Sequence, residues 1–338
     1  MNITICGGGN LGHVCAGFLS SHGDNTVSLL TTKPELWSNC IDVVDCQGNV
    51  FHGNLKRVSC RPVDVIPDAE MVIVCLPGFA IGNELEAIAP YLRKNCWVGT
   101  VVSSTGFFFE AFKHLSNSQP LFGFQRVPFI SRITHYGREA DLKGYKESLS
   151  IAVEHTNDKE RIRKKLEQLF KVPVKLLNSH YEVSLSNSNP LLHTSRLYTL
   201  WSDWKPGVAY DNKPGFYSDW TIEASELYIA MDSEFQQLLL KLGVKEGSIP
   251  PVLKYYESKD AESLTKKIRS ILAFQGISSP MSINIFGKYV PDFKSRYFTE
   301  DFCYGLKTIE TLTKIKNIEA PMIEKVYQWG TKLLEIQE

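Results

Sequence analysis

Three ionisable side chains in the C-terminal half of the sequence have chemistry that a reaction or a ligand could use. His193 lies in the stretch NPLLHTSRLY, where Asn189 and Pro190 predict the start of a helix, and Arg296 and Asp301 lie together in KSRYFTEDF. An imidazole gains and loses a proton near neutral pH, which suits a general acid or base. A guanidinium presents a planar fork that matches the two oxygens of a carboxylate. These residue types therefore allow proton transfer and the binding of an acidic ligand.

Each of these side chains also has a structural explanation. His193, in the first turn of an apolar helix, could be a core histidine with a satisfied hydrogen bond. Thr299 predicts the cap of a later helix, whose N-terminal dipole Asp301 would stabilise. Arg296 could pair with an acid on the surface. The three residues alone leave both interpretations open.

The segments that carry these residues predict helices. Apolar residues recur at helical spacing from about residue 178 onward, after a first half in which strands and helices alternate. The predicted helices of the second half span residues 190–204, 218–241, 261–272, 300–314 and 320–334.

A glycine-rich loop stands between the first predicted strand and the first predicted helix. Gly7, Gly9 and Gly12 form the pattern G-x-G-x-x-G directly after the apolar run of residues 3–6. In this context the glycines permit a tight turn, a close approach of a pyrophosphate and close packing of helix on strand, and the helix N-terminus adds amide donors. A purely structural glycine turn is the alternative. We predict a dinucleotide site that includes Gly7, Gly8, Gly9, Asn10, Leu11 and Gly12.

The end of the second predicted strand bears on the choice of dinucleotide. A carboxylate at this place would bind the ribose 2′-hydroxyl of NAD(H). The sequence instead has Thr31, Thr32 and Lys33, two hydroxyls and a cation that would accept a 2′-phosphate. We therefore favour NADP(H) over NAD(H), which stays possible. The alternative role of Lys33 is that of a solvated loop residue.

The rest of the first half predicts an open α/β sheet. A hairpin is predicted around residues 47–49, buried strands over 69–76 and 96–105, two or three strands within 119–155, and a charged amphipathic helix over 157–170. Because such sheets bind ligands at the carboxyl ends of their strands, the loops there extend the predicted cofactor site. The added residues are Leu76, Pro77, Gly78, Phe79 and Ser103.

These patterns combine into an α/β protein of two domains. We predict an N-terminal Rossmann-type doubly wound sheet, residues 1–178, followed by an all-helical C-terminal domain, residues 179–338, for the substrate.

Composition limits the partners and the compartment. Lys and Arg total 37, as do Asp and Glu, so no charge excess points to nucleic acid or an anionic membrane. The first residues have no basic segment or cleavage motif of a secretory signal, and no apolar run is long enough to span a bilayer, so we expect a cytoplasmic protein. The eight cysteines form no C-x-x-C pair, and no metal site is predicted.

Several segments resemble the opine dehydrogenase family. They are CGGGNLGH, MVIVCLPGFAIGNELEAIAPYL, FQRVPFISRITHYGREADLKGY, NPLLHTSRLY and VPDFKSRYFTEDFCYGL, which together extend over nearly the whole chain. The glycine loop is common to many dehydrogenases, whereas RYFTED combined with the histidine of the helical half is more specific. Two departures bear on substrate choice. A family member has S-Q-A-G-F, with its glutamine placed near substrate, where this chain has Ser103-Ser104-Thr105-Gly106-Phe107, and Thr194 replaces a proline after the histidine.

The resemblance implies an NAD(P)H-dependent reductive condensation of an amino acid with a 2-oxoacid such as pyruvate. In the family the residue matching His193 is the acid and base, the residue matching Asp301 orients it, and the residue matching Arg296 holds a carboxylate. The implied partners are these two small molecules, without nucleic acid, membrane or metal, in a monomer or homodimer.

Two other functions remain as alternatives. One is a 2-hydroxy acid or sugar-acid dehydrogenase on the same two-domain plan, a class that typically uses a lysine as its acid. The other is a module that senses NAD(P) without turnover, which would need the glycine loop but not His193, Arg296 and Asp301 together. Substrate-dependent oxidation of NAD(P)H distinguishes the enzymes from the sensor.

Overall fold

The computed structural model describes residues 1–335 and divides into two compact units, Met1–Ser186 and Asn187–Glu338. The sequence analysis places the boundary after residue 178. Residues beyond it stay with the first unit because the short helix His180–Ser184 is tied to the sheet: the His180 backbone N–H donates to Glu154 Oε1 at 3.0 Å.

The first unit is built on one mixed sheet. Its strand order is β11-β10-β7-β6-β5-β1-β2-β4-β3-β9-β8. The strands are β1 (Asn2–Cys6), β2 (Thr26–Leu30), β3 (Cys40–Asp45), β4 (Val50–Ser59), β5 (Met71–Val74), β6 (Trp97–Thr100), β7 (Leu121–Phe124), β8 (Phe129–His135), β9 (Glu139–Tyr145), β10 (Leu149–Glu154) and β11 (Val174–Leu176).

Helices cover both faces of this sheet. They are α1 (Asn10–Ser20), α2 (Pro62–Val65), α3 (Gly78–Ile88), α4 (Phe107–His114), α5 (Lys159–Phe170) and α6 (His180–Ser184), with short 3₁₀ turns at Pro34–Leu36, Ala89–Tyr91 and Ser103–Thr105.

The sheet confirms the doubly wound prediction. Strand β1 pairs in parallel with β2 and β5, and β5, β6 and β7 continue in parallel. One apolar core packs α1 and α5 on one face, and a second packs α3 and α4 on the other, which is why the central strands are apolar along their whole length.

Two local predictions differ in outcome. The hairpin is confirmed as β3 and β4, with Gly48 at φ +86° in its turn. The two or three strands predicted for residues 119–155 are four, because β8 and β9 form a second hairpin whose β9 pairs with β3. Burial alternates along β8 and β9, which contain several polar residues, so these strands lack the continuous apolar run that marks the central strands in the sequence.

The second unit is mainly helical. Its helices are α7 (Asn189–Trp201), α8 (Ile222–Lys241), α9 (Val252–Tyr255), α10 (Ala261–Ser270), α11 (Arg296–Thr299), α12 (Lys307–Ile315) and α13 (Pro321–Glu335), with a 3₁₀ turn at Leu272–Phe274 and a π-helical turn at Asp301–Leu306. A ribbon of β12 (Met281–Ile283) and β13 (Tyr289–Pro291) also belongs to this unit, so the domain is not helical throughout.

Two predicted helix starts are wrong. Asn189 is already helical, and Ser188 occupies the N-cap position without a side-chain cap bond. Thr299 ends α11 instead of capping a helix, and its hydroxyl donates to the carbonyl of Ser295 at 3.3 Å. The single helix predicted over 300–314 is a π-helical turn followed by α12. Helical periodicity alone does not distinguish α from π winding over one turn.

Candidate active site and cofactor site

The imidazole of His193 is buried, with hydrogen bonds on both nitrogens. Nδ1 lies 2.7 Å from Asp301 Oδ2, and Nε2 lies 2.8 Å from the Tyr217 hydroxyl. Only 7% of the residue is exposed. Because a carboxylate only accepts, Nδ1 carries the proton, and Nε2 accepts from the tyrosine O–H. The neutral ring is thus ready to take a proton at Nε2.

A π-helical turn brings Asp301 to this histidine. The amide of Gly305 donates to the carbonyl of Glu300 at 3.0 Å, five residues back. A Cβ on Gly305 would come within 2.5 Å of Pro190 Cγ, so only glycine lets this turn approach the start of α7 so closely. The wider winding and the glycine together set the carboxylate beside the imidazole.

Tyr217 is held by aromatic and polar contacts. Its ring stacks on Phe274 with centroids 4.0 Å apart. The buried guanidinium of Arg196, one turn along α7 from His193, donates to the carbonyls of Phe216 at 3.1 Å and Asp219 at 2.7 Å, on either side of the tyrosine. Burial lowers the pKa of Arg196 to about 10, which leaves it charged at neutral pH.

Tyr297 completes the polar cluster. Its ring centroid lies 4.7 Å from that of His193, and its hydroxyl is hydrogen-bonded to that of Tyr217. Burial, followed by the neighbouring charge of Asp301, raises the pKa of Tyr297. No pattern in the sequence points to Tyr217, Tyr297 or Arg196, because none of them lies in a recognisable motif.

Arg296 is placed differently from the other two predicted residues. Its side chain is 85% exposed, and Nε lies 3.5 Å from Glu300 Oε1. It directly precedes Tyr297 in α11, so it neighbours the cluster in sequence without joining its hydrogen bonds. The structure brings His193 and Asp301 together and leaves the guanidinium in solvent.

In the first unit, each glycine of the loop has the geometry that its predicted role requires. Gly7 has φ +115°, and a Cβ there would lie 2.7 Å from the carbonyl oxygen of Cys75. A Cβ on Gly12 would lie 1.9 Å from the carbonyl oxygen of Gly7, which reflects close packing of helix on strand. Around Gly9 the Cβ direction is open for 4 Å, which leaves room for a ligand at the start of α1.

His13 and Asn10 hold this loop against the β8–β9 hairpin. His13 Nδ1 donates to the carbonyl of Gly9 at 2.9 Å, and Nε2 accepts from the amide of Gly137 at 2.7 Å. Asn10 Oδ1 accepts from the amide of Ile133 at 2.8 Å. Asn10 was predicted to bind cofactor, but its oxygen is used within the fold; Leu11 beside it is partly buried against the core.

The residues after β2 differ in exposure. Thr31 is buried and its amide donates to the carbonyl of Ser59 at 2.9 Å, whereas Thr32 and Lys33 are exposed. A Cβ on Gly8 would lie 2.7 Å from Thr31 Oγ1, so Gly8 and Thr31 are in close contact. Lys33 and Thr32 are therefore the groups here that are free to meet an anion.

The loops after β5 and β6 include both accessible and buried residues. Pro77 is the N-cap residue of α3, Leu76 before it is partly exposed, Gly78 is buried and Phe79 is 64% exposed. Ser103 is fully buried with no hydrogen bond to Oγ, which lies 2.3 Å from where a Cβ on Gly123 would be. The hydroxyl of Ser103 therefore points into the protein and not toward a ligand.

Within residues 1–335 no helix is long and apolar enough to cross a membrane, and no three His, Cys, Asp or Glu side chains gather in a way that could hold a metal ion.

Two family models match the chain. Residues 176–334 match the α-helical domain of the NAD/NADP octopine/nopaline dehydrogenases, and residues 3–123 match ketopantoate reductase PanE/ApbA. The chain is 26% identical to an opine dehydrogenase of Haliotis discus hannai, with 99% of this chain and 90% of that protein covered. It is 25% identical to a tauropine dehydrogenase of Arabella iricolor, with 98% and 91% covered.

Solved structures show the same fold. An octopine dehydrogenase bound to NADH and L-arginine superposes with a TM-score of 0.86 at 22% identity, over 99% of this chain and 90% of that one. A yersinopine dehydrogenase with NADP⁺ bound gives a TM-score of 0.72 at 12% identity, over 99% and 91%. The chain is therefore similar to opine dehydrogenases over nearly its whole length, and its helical half matches the α-helical domain of that family.

Proposed function

We propose that this protein is an NAD(P)H-dependent opine dehydrogenase, an oxidoreductase acting on CH–NH groups. It joins the amine of an amino acid to the carbonyl carbon of a 2-oxoacid such as pyruvate and reduces the resulting imine. The observation that carries the proposal is the buried contact of His193 with Asp301, 2.7 Å apart, in a domain of this family.

The proposed reaction needs a group that takes a proton and later returns it. Attack of the amine on the carbonyl releases a proton, and loss of water from the carbinolamine consumes one. Neutral His193 takes the first proton at Nε2, and the carboxylate of Asp301 stabilises the imidazolium through Nδ1. The imidazolium returns its proton to the former carbonyl oxygen, which becomes the carbinolamine hydroxyl. His193 then carries the second N–H proton to this hydroxyl, which leaves as water as the imine forms.

We assign Arg296 to the carboxylate of the 2-oxoacid. Its only ion pair among the described residues is the 3.5 Å contact with Glu300, on an exposed side chain. Exposed pairs of this kind contribute little, about 0–1 kcal/mol, so a substrate carboxylate competes with Glu300 easily. A planar fork on a carboxylate makes two parallel hydrogen bonds.

The first unit fits a dinucleotide. The open space at Gly9 and the amide groups at the start of α1 would hold the pyrophosphate, and Phe79 is exposed and Pro77 partly exposed beside the next strand end. When bound, the reduced nicotinamide supplies the hydride. We favour NADP(H) because Lys33 and Thr32 are exposed where the 2′-phosphate would bind and no carboxylate stands at that strand end.

A cytoplasmic location and a monomeric or homodimeric state complete the proposal. Both rest on the sequence features described above.

A 2-hydroxy acid dehydrogenase is the second candidate. It is favoured by the match of residues 3–123 to ketopantoate reductase and by a D-mandelate dehydrogenase structure with a TM-score of 0.63 at 13% identity. In this reading the hydride goes to a carbonyl, and the amino acid is not required.

One assay separates these functions. Each of a set of amino acids is combined with pyruvate, 2-oxoglutarate or glyoxylate, the oxidation of NADPH and NADH is followed by absorbance, and the product mass is measured. We expect oxidation only when amine and 2-oxoacid are both present, with the mass of the joined secondary amine. A product with the mass of the 2-hydroxy acid contradicts the proposal, and no oxidation with any pair favours the sensor.

A further inference from the structure

Neither ring nitrogen of His193 is free to meet a substrate. Asp301 takes Nδ1, and the hydroxyl of Tyr217 takes Nε2 at 2.8 Å. A proton that leaves the substrate reaches Nε2 in one of two ways: the tyrosine moves aside, or its hydroxyl passes the proton on.

The surroundings of Tyr217 favour a fixed ring. Only 4% of the residue is exposed, and its ring is stacked on Phe274 at 4.0 Å and lies nearly parallel to Trp220, with an interplanar angle of 11°. Arg196 anchors the backbone on both sides of it through the two carbonyls described above. Rotation of the ring away from His193 would break the stack and leave Nε2 without a donor.

The hydroxyl has the bonds that a relay needs. It donates to Nε2 of the neutral imidazole, so the lone pairs of its oxygen are available to accept a proton. Burial raises the pKa of Tyr217, with smaller contributions from Tyr297 and Asp301, so the phenol keeps a proton at neutral pH.

We propose that the Tyr217 hydroxyl is a catalytic group that carries protons between the substrate and His193. As the amine attacks the 2-oxoacid, an N–H proton passes to the Tyr217 oxygen while the phenol proton passes to Nε2. The same two transfers in reverse return that proton to the former carbonyl oxygen, which becomes the carbinolamine hydroxyl. The second N–H proton then takes the same route to this hydroxyl, which leaves as water as the imine forms. Tyr217 has one proton before and after each step, and the charge rests on the imidazolium beside Asp301.

This inference rests on the proposed function, and its test begins with the condensation activity of the unaltered protein. Tyr217→Phe retains the ring and its stacking but removes the hydroxyl. We expect kcat to fall about 10²-fold, the lower end for a positioned acid or base, with the KM of the 2-oxoacid and the melting temperature little changed. Tyr198→Phe is the matched control, since Tyr198 lies on α7, the helix of His193, and its ring packs on Trp329.

A second readout separates a relay from a packing role. With the unaltered protein, kcat plotted against the deuterium fraction of the solvent should curve, because two protons move together. In Tyr217→Phe the plot should become straight, because the coupled transfer through the phenol is lost. Adding His193→Gln to Tyr217→Phe should cost no further activity, since the two groups act as one unit.

Replacing Tyr217 with 3-fluorotyrosine covers the case in which the phenylalanine variant does not fold. Fluorine lowers the phenol pKa with little change in shape, so kcat should change while the KM of the 2-oxoacid and the melting temperature stay the same. An unchanged or higher kcat in Tyr217→Phe, or an unchanged kcat in the fluorinated protein, overturns the relay and means that substrate displaces the tyrosine. Absence of condensation by the unaltered protein refutes the proposed function instead.

Discussion

Two buried histidines, one in each unit, have both ring nitrogens hydrogen-bonded and yet differ in what they are able to do. The partners of His13 are backbone groups, the carbonyl of Gly9 and the amide of Gly137. The partners of His193 are a carboxylate and a phenol. Burial and satisfied hydrogen bonds are therefore common to both and do not identify the functional one.

The difference lies in what happens when a proton arrives. A proton on His13 Nε2 would face the amide N–H of Gly137, so the charged ring would lose its bond and be left in an apolar pocket against Trp37, 4.0 Å away. A proton on His193 Nε2 is balanced by Asp301 and still bonded to Tyr217. A histidine whose partners exchange protons or balance its charge is able to carry a proton. A histidine whose partners are backbone groups has a structural role.

The largest expected effect is the loss of turnover in His193→Gln. Glutamine keeps similar size and some hydrogen bonding but cannot carry the proton, so kcat should fall on the order of 10² to 10⁴-fold. Steady-state rates and thermal unfolding, measured together, check this. Asp301→Asn should give a similar loss that does not add in the double variant. Multiplied losses, or normal turnover of His193→Gln, would mean that His193 is structural like His13.

Gly9→Val should remove dinucleotide binding while the protein still folds. The Cβ direction is open and φ is −84°, so valine fits the empty loop, but its methyl groups fill the space intended for the pyrophosphate. Overlap of this kind costs about 1–3 kcal/mol or more, a loss of roughly 10 to 10²-fold in affinity. Calorimetric titration with NADPH and NADH measures it.

Two other glycines serve as controls for this variant. Gly23 is equally open, so Gly23→Val should bind normally. Gly12→Ala should fail to fold, because its Cβ would overlap the carbonyl of Gly7. If the affinity of Gly9→Val for both cofactors is unchanged, the loop is only a structural turn.

His13→Phe should lower stability and leave turnover at saturating substrates nearly unchanged. The ring still packs on Trp37, but the amide of Gly137 loses its acceptor, at a cost of about 1–3 kcal/mol. Denaturant unfolding at neutral pH measures this loss. A large fall in kcat of the folded variant would contradict the structural role given to His13.

The pH dependence of stability gives a second test of His13. Burial lowers its pKa in the folded state, so the folded protein disfavours a proton that the unfolded chain accepts near pH 6.5. The contribution of His13 is complete above that pH and is lost progressively as the pH falls below it. His13→Phe should remove this part of the slope, which unfolding midpoints between about pH 5 and 7 would reveal.

The smallest effect is expected for Arg296→Lys. Lysine keeps the charge but loses the fork, so the KM of the 2-oxoacid should rise about 10-fold with kcat little changed, as expected for the loss of one charged hydrogen bond. Lys294→Ala, which removes an exposed cation two residues away, is the control. Equal effects of the two variants would point to general charge attraction instead of a specific contact.

Local sequence patterns predicted the fold of the first unit well. The positive φ of Gly7 and the contact of Gly12 with Gly7 are local features, and the contact of Gly7 with Cys75 lies on the neighbouring central strand, so the pattern G-x-G-x-x-G after an apolar strand predicted this geometry well. The extra strand within residues 119–155 was missed because β8 and β9 lack the continuous apolar run of the central strands and the partner of β9 is β3, far away in the chain.

The sequence predicted the site in the second unit much less directly. The residue types of His193 and Asp301 suggested an acid and base, and the family resemblance paired them. Their contact itself required a π-helical turn and the fit of Gly305 on Pro190, neither of which has a periodicity to detect. The exposure of Arg296 and the inward hydroxyl of Ser103 likewise followed from packing.

The sequence by itself determined which chemistry was available: an imidazole, a carboxylate, a guanidinium and a glycine loop at the first strand end. Tertiary structure alone decided that Tyr217, which lies 24 residues from His193, hydrogen-bonds to its Nε2 atom. It also decided that His13 has a structural role. The reason is physical. Backbone conformation is governed by neighbours along the chain, whereas the proton affinity of a side chain is governed by the groups that the fold packs around it.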